Sequence, residues 1–228
     1  MIYRNAKRLL DIIIAGVFLL LFSPFGLIII IILKFTGEGE LFFKQKRLGY
    51  KNRPIFLWKF ATMLKESPKT GTLTAKNDPR ILLFGKFLRK TKINEIPQLI
   101  NVLKGDMSIV GPRPLVQETF NHYPEEMKPF IYDKCKPGLT GIGSVVFCNE
   151  EEILARSAKE LFKCYKEDIM PIKGECEIWY RNNQGFFLDL KVIILTAWII
   201  LFSKSSLPEI LFPDLFGKIE AGMSGRRR

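Results

Sequence analysis

Asn94 and Glu95 stand together in a stretch rich in cations and turns. Arg80, Lys86, Arg89, Lys90 and Lys92 precede them, and Gly105-Asp106-Met107-Ser108 and Gly111-Pro112-Arg113-Pro114 follow. Amide and carboxylate oxygens can ligate a hard metal ion, the cations offset phosphate charge, and glycine-rich turns let backbone amides approach an anion. The combination reads as a diphosphate site. A plainer reading fits the same residues: Asn94 as a helix cap, Glu95 as a first-turn acid, and the lysines as a solvated face. Local pattern alone leaves both open.

Other chemistries find little support. The single His122, followed by Tyr123 and Pro124 in a loop-like stretch, argues against histidine-based catalysis and reads as a surface residue. Cysteines 135, 148, 164 and 176 form no Cys-x-x-Cys pair and lack zinc-site spacing, so they read as reduced thiols. The work falls to carboxylates and bases.

Elements must hold these groups. Phe87, Leu88, Ile93, Ile96, Leu99, Ile100 and Leu103 recur at helical spacing between Gly85 and Leu103. With Pro97 in a first turn, a helix is predicted to begin near Asn94, making Asn94 its N-cap and exposing Asn94-Glu95 to the positive end of a helix dipole. Leu41-Phe42-Phe43 and Pro54-Ile55-Phe56-Leu57-Trp58, joined by Leu48-Gly49-Tyr50-Lys51-Asn52, predict a small β-hairpin. Helices over Ile153 to Tyr165 and Leu188 to Phe202 would complete the core. No alternating strand-helix series supports a Rossmann-type nucleotide-sugar enzyme.

From Ile12 to Leu33 there are 22 residues without a charge, enough for a helix to cross a hydrocarbon core about 30 Å thick. Ser23-Pro24 sits at its midpoint and Gly26 just beyond, which builds in a bend. Arg4, Lys7 and Arg8 precede the run, and Lys34, Lys44, Lys46 and Arg47 follow it, so both ends carry the basic signature of a cytoplasmic flank. The expectation is a re-entrant helix-break-helix, with the Ser23 hydroxyl serving a carbonyl freed by Pro24. A kinked crossing helix is the alternative. A signal peptide is disfavoured, because Ile28 to Leu33 continues the apolar run past any cleavage-site pattern. Val192 to Phe202 is too short to span. It and the pieces after Lys204, namely Pro208, Ile210-Leu211-Phe212-Pro213 and Leu215-Phe216, read as interfacial segments, though a core helix explains Val192 to Phe202 equally well. Arg226-Arg227-Arg228 reads as a solvated tail.

The formal charge of +12 is concentrated in the first half: residues 1 to 60 hold ten Lys or Arg against three acids, and 61 to 114 hold ten against four. Such a bias suits an anionic membrane, a phosphate-bearing substrate or nucleic acid. The apolar run and the lack of zinc-finger, RNP or homeodomain signatures exclude nucleic acid as the partner.

A series of ordered motifs adds to this. Lys7-Arg8-Leu9-Leu10-Asp11, Ser23-Pro24, Phe43-Lys44-Gln45-Lys46-Arg47-Leu48-Gly49, Lys59-Phe60, Asn77-Asp78-Pro79-Arg80, Glu95-Ile96-Pro97-Gln98-Leu99, Gly105 through Pro114, Lys136-Pro137-Gly138-Leu139-Thr140-Gly141 and Leu188-Asp189-Leu190-Lys191 occur in that order. Over roughly residues 5 to 200 the chain resembles the bacterial sugar transferases, also called small monotopic phosphoglycosyl transferases.

The resemblance implies an α+β, mostly helical fold: a re-entrant membrane hairpin with a basic N-terminal helix over 1–36, a cytosolic transferase domain over 37–203, and an interfacial tail over 204–228. It implies transfer of a sugar phosphate from a UDP-sugar to polyprenyl (undecaprenyl) phosphate, with Mg2+, releasing UMP at the cytoplasmic face of a bacterial inner membrane rich in phospholipid. Glu95, Asn94 and Arg89 are the candidate chemical residues, with Asn94 and Glu95 toward the metal. Lys59, Arg80, Pro112, Arg113, Lys136, Glu177 and Tyr180 are candidates for binding phosphate or substrate. Homo-oligomerisation is left open.

This sequence departs from the family at telling places. The family's nucleophile is the Asp of an Asp-Glu pair, where this chain has Asn94-Glu95. An amide is a poor nucleophile and a neutral metal ligand. Three readings follow: a subgroup that relies on Glu95 or on direct transfer, an engineered block, or a silent member acting as a membrane scaffold or substrate binder. Ala61, and Cys148 with Asn149, stand where the family often has arginine, and Glu177 stands for a family Asp.

Overall fold

The computed structural model describes residues 2–36, 38–67, 78–148, 150, 153–154, 160–202, 205–213 and 215–217. Asn77, Asn149, Lys204 and Arg226 to Arg228 lie outside these. Helix α1 (Ile2–Thr36) runs unbroken through Ser23-Pro24, which corrects the expected helix-break-helix. The local reason is visible: Pro24 has no amide for the carbonyl of Leu20, and Ser23 Oγ donates to that oxygen at 2.8 Å instead. The hydroxyl thus has the role expected of it, but the helix continues.

Strands β1 (Phe42–Leu48) and β2 (Pro54–Phe60) form the expected antiparallel hairpin, from Phe42 opposite Phe60 to Leu48 opposite Pro54. Its turn uses Lys51 and Asn52 at positive φ, 55° and 58°. Helices α2 (Leu83–Lys90) and α3 (Gln98–Lys104) follow, then strand β3 (Ser108–Val110) and short helices α4 (Gln117–Asn121) and α5 (Lys128–Ile131). Strand β4 (Gly138–Thr140) pairs parallel with β3, a second two-stranded sheet that the sequence reading did not anticipate. Helices α6 (Ile142–Val146) and α7 (Leu161–Cys164) come next, and a π-turn over Tyr165–Ile169 leads from α7 into α8 (Met170–Asn183). Helices α9 (Phe186–Leu201) and α10 (Leu207–Leu211) follow. Among the described residues the fold is mostly helical with two small sheets.

One apolar core unites Met107, Val110, Ile131, Ile142, Met170 and Val192. Helix α9 turns Val192, Leu195 and Ile199 inward and leaves Ile194, Ile200 and Leu201 exposed, so core and surface readings of that segment each hold for one face. Beyond it, Phe212 and Leu215 are buried, with the Phe212 ring edge-on to Trp179 at 5.8 Å, whereas Ile210 is exposed. Phe212 and Leu215 thus face the core, while Ile210 and Leu211 present the exposed apolar side of the segment.

Both halves of α1 are fastened to the same body. Near its start, Asp11 accepts hydrogen bonds from Ser108 Oγ and the Ile109 amide at 3.0 and 2.9 Å. Arg8 donates to the last carbonyls of α3, those of Val102 and Leu103, at 2.6 and 2.7 Å. Near its end, Ile29 and Leu33 pack with Phe60 and Leu88. Between these attachments Leu20, Leu21 and Phe25 are exposed by 75%, 68% and 61%.

Candidate active site: a carboxylate among three cations

The hairpin's pairing sets one wall. Arg47 pairs across from Ile55, and Leu57 and Lys59 follow at period two, so Arg47, Leu57 and Lys59 share one face. Helix α3 locks onto the edge of β2 through the buried Asn101. Its Oδ1 accepts the Trp58 amide at 3.2 Å and its Nδ2 donates to the Phe56 carbonyl at 2.8 Å, imitating a third strand.

Just before α3 the chain turns through Lys92, at φ 59°, into a single 3-10 turn over Ile93–Glu95. Asn94 is therefore inside that turn, and Pro97 occupies the cap position of α3. This corrects the N-cap assignment and with it the dipole argument: the left-handed Lys92 starts a separate turn and α3 begins only at Gln98.

The opposite wall is Arg113, Pro114, Gly138 and Leu139. Glycines 111, 138 and 141 permit the close crossing here: a Cβ on Gly138 would lie 2.1 Å from the Gly111 nitrogen, and one on Gly141 2.1 Å from the Gly111 oxygen. Tyr132 donates to the Arg113 carbonyl at 2.6 Å, and the Arg113 amide donates to Glu177 Oε1 at 3.3 Å. The backbone of Arg113 is thus held at both ends while its side chain reaches outward.

Between these walls lies an open cleft of about 240 Å³ lined by Arg47, Lys59, Glu95, Gln98 and Arg113, among others. Lys59 Nζ is 3.2 Å and an Arg113 guanidinium nitrogen 3.6 Å from the same Glu95 oxygen. Burial alone would raise the Glu95 pKa, but Lys59, Arg113 and Lys92 outweigh it and hold the carboxyl well below the usual carboxylate range. Burial pushes Lys59 down to about 8 against the pull of Glu95. Arg47 is lowered to about 10, first by burial and then by Arg113.

Of the residues singled out from sequence, Lys59, Glu95 and Arg113 come together here, with Asn94 adjacent and buried. Pro112 is buried behind Arg113, its carbonyl accepting the Gly138 amide at 2.8 Å. Glu177 lies beneath Arg113, its Oε2 buried without a partner and its carboxyl lifted to about 7, burial exceeding the effects of the Arg113 amide and Lys173. The others are not among the lining residues. Arg80 grips Asp78 with Nε and NH2, at 2.9 and 2.5 Å. Arg89 points toward Met63 Sδ at 3.8 Å. Lys136 and Arg8 both reach Gly105 at the end of α3. Tyr180 is fully buried, donating to Asp189 Oδ1 at 2.7 Å, while Tyr3 and Lys7 donate to Asp189 Oδ2 at 2.9 and 2.7 Å. That network fastens α1 to α8 and α9, and it accounts for Tyr180 without a ligand. Ser23 and Pro24 are remote from the cleft, in the exposed middle of α1. Conversely, Arg47 and Gln98 line the cleft and were not singled out; the shared parity of Arg47, Leu57 and Lys59 across the hairpin was the signal available.

The donors around Glu95 bear on magnesium. Among the described residues no cluster of three or more His, Cys, Asp or Glu side chains forms a metal cage. Asn94 Oδ1, however, is buried and unpartnered, a hard oxygen beside a carboxylate. Magnesium is commonly held by one or two such ligands together with substrate phosphates and water. The unpartnered Asn94 Oδ1 and the ionised Glu95 are the oxygens that would be offered to an ion arriving with a phosphate.

The family described as bacterial sugar transferase matches residues 2–203. A UDP-glucose:undecaprenyl-phosphate glucose-1-phosphate transferase of Klebsiella pneumoniae is 36% identical over 203 residues, covering 88% of this chain and 41% of the relative. The uncharacterized sugar transferase EpsL of Bacillus subtilis is 37% identical over 198 residues, covering 87% of this chain and 88% of the relative. The exopolysaccharide production protein ExoY of Rhizobium meliloti is 30% identical over 217 residues, with 88% of each chain covered. The chain spans about two fifths of the Klebsiella relative's length and most of the other two. With the family matched across nearly all of the described fold, the chain belongs to the bacterial sugar transferases.

Proposed function

We propose that this protein transfers a sugar 1-phosphate from a UDP-sugar to polyprenyl phosphate, giving a polyprenyl diphosphosugar and UMP, the initiating step of a bacterial glycoconjugate. The observation that carries the reading is the cleft in which Lys59 and Arg113 converge on Glu95, within a family whose relatives bear names of this activity. In the reaction an oxygen nucleophile bonds to the sugar-proximal phosphorus. The bond from that phosphorus to the bridging oxygen breaks, and UMP leaves with the electron pair. Lys59 and Arg113 neutralise charge on the phosphoryl oxygens as it develops. Glu95 stays ionised, able to orient the polyprenyl phosphate for direct transfer or to attack phosphorus itself, in which case the polyprenyl phosphate oxygen then bonds to that phosphorus and Glu95 leaves as the carboxylate. Asn94 and Glu95 would be the residues that hold a magnesium ion, which would supply further charge neutralisation.

The acceptor's long apolar tail requires a membrane. Both halves of α1 are attached to one domain while the apolar middle is exposed, which favours a segment that enters one leaflet over one that crosses. The basic residues on both flanks favour the cytoplasmic face of the inner membrane. A second reading, a silent membrane scaffold, draws on Asn94 alone.

The test is incubation of the detergent-purified full chain with a panel of UDP-sugars, undecaprenyl phosphate and magnesium, separating lipid products and nucleotides. Stoichiometric undecaprenyl diphosphosugar and UMP is the expected result. Release of UDP, or no product with any donor, would overturn the proposal.

A further inference from the structure

Arg47 is held by the protein on two of its three nitrogens and left unsatisfied on the third. NH2 donates to Gln45 Oε1 at 2.7 Å and NH1 to the Pro114 carbonyl at 3.3 Å, while Nε is buried without a partner. A buried donor with no acceptor costs about 1–3 kcal/mol. Arg47 also stands in the field of Arg113, a like charge, and lines the same cleft as Lys59 and Glu95. Three cations there face one carboxylate, a surplus of about two positive charges that no neighbouring side chain in the cleft cancels. An arrangement that is unfavourable when empty and becomes favourable when a dianion enters has the character of a binding site: local stability is sacrificed for the ligand.

We propose that Arg47 is a further anion-binding residue of this cleft, its guanidinium on the hairpin wall holding, together with Lys59 and Arg113, a ligand group that carries two negative charges, a phosphomonoester dianion or a diphosphate. The inference rests on the transferase reading, in which the donor's diphosphate and the departing UMP both present such a group. Gln45 and the Pro114 carbonyl act as positioning groups, fixing the guanidinium plane from the two walls at once. Lysine in its place keeps the charge but not the planar fork.

The experiment is titration of the full chain in detergent micelles with inorganic pyrophosphate, followed by calorimetry, alongside thermal melting with and without it, for the unmodified protein, Arg47→Gln and Arg47→Lys. In Arg47→Gln the affinity should fall at least about tenfold, since a charge-assisted contact is lost, while the ligand-free melting temperature stays the same or rises as the repulsion with Arg113 is relieved. Arg47→Lys should bind with intermediate affinity. A melting temperature that drops with affinity unchanged would make Arg47 a structural residue and overturn the proposal. No pyrophosphate binding by the unmodified protein would overturn it too, and because binding needs no turnover that result is separable from UMP release, which tests the transferase reading alone. If Arg47→Gln does not fold, the Arg47→Lys affinity decides: equal to the unmodified protein, the proposal fails.

Discussion

Lys59 on β2 and Arg113 beyond β3 converge on a single oxygen of Glu95, at 3.2 and 3.6 Å. The second cation is partly exposed and the first nearly buried, so the pair differs in how solvent can relieve it. Removing the carboxylate charge leaves Arg47, Lys59 and Arg113 facing one another. Glu95→Gln should therefore destabilise the fold by about 3–5 kcal/mol, the range for breaking a buried ion pair from one side, read as a lowered melting temperature. Pyrophosphate should restore part of the loss.

Asn101 bridges α3 and β2, and through them Glu95 and Lys59. Asn101→Ala orphans the Trp58 amide and the Phe56 carbonyl, at a cost of about 1–3 kcal/mol. Because the bridge also sets the separation of Lys59 from Glu95, the variant should lose turnover beyond what its residual folded fraction explains. Circular dichroism melting and activity at a temperature well below the transition separate the two effects.

Titration of Glu177 should appear in the pH dependence of stability. Its carboxyl is raised from 4.5 to about 7, so the folded protein favours the protonated form. This contribution is fully present below the unfolded pKa and is lost as pH rises through about 7. Glu177→Gln, which keeps the neutral shape, should gain stability over the unmodified protein as pH rises from 5 to 8, by an upper bound of about 3 kcal/mol. A difference that shrinks with rising pH would reverse the assignment.

Lys59, lowered to about 8 by burial, loses its charge as pH rises through that value in the free protein. Pyrophosphate affinity should decline in the same direction, with the midpoint displaced upward in the complex, because the bound anion favours the ammonium form. Lys59→Arg should abolish the decline below pH ~10, since a guanidinium stays charged.

Topology of α1 is accessible to labelling. Asn5 and Thr36 are exposed at its two ends, and Cys148 is an exposed cysteine that must first be replaced by serine. In that background Asn5→Cys and Thr36→Cys should both react with a membrane-impermeant maleimide in inside-out vesicles and neither in right-side-out ones. Opposite reactivity of the two would establish a crossing helix.

Much of this was legible in the residues and some was not. The hairpin followed from two short apolar runs around a turn-forming loop, and the Ser23 contact followed from what proline lacks. Asn94 was misplaced because the helical period over Phe87 to Leu103 is real but is carried by two helices, with the left-handed Lys92 between them; a φ sign is invisible to periodicity. Strands β3 and β4, three residues each and far apart in the chain, are too short to show alternation. Their glycines look like turn formers, and only the crossing of Gly111, Gly138 and Gly141 reveals the need for bare backbone. Lys59, Glu95 and Arg113, named from their types, meet in one cleft, whereas the Arg80 and Tyr180 side chains bond to Asp78 and Asp189.

The most direct measurement is UMP release, dependent on undecaprenyl phosphate and magnesium, by the unmodified protein, Glu95→Gln and Asn94→Asp under identical conditions. Release by the unmodified protein, reduced at least about 100-fold by Glu95→Gln as expected for loss of a central transition-state contact, is the result this account predicts. Release by Asn94→Asp alone would contradict it and make this chain a silent member of its family.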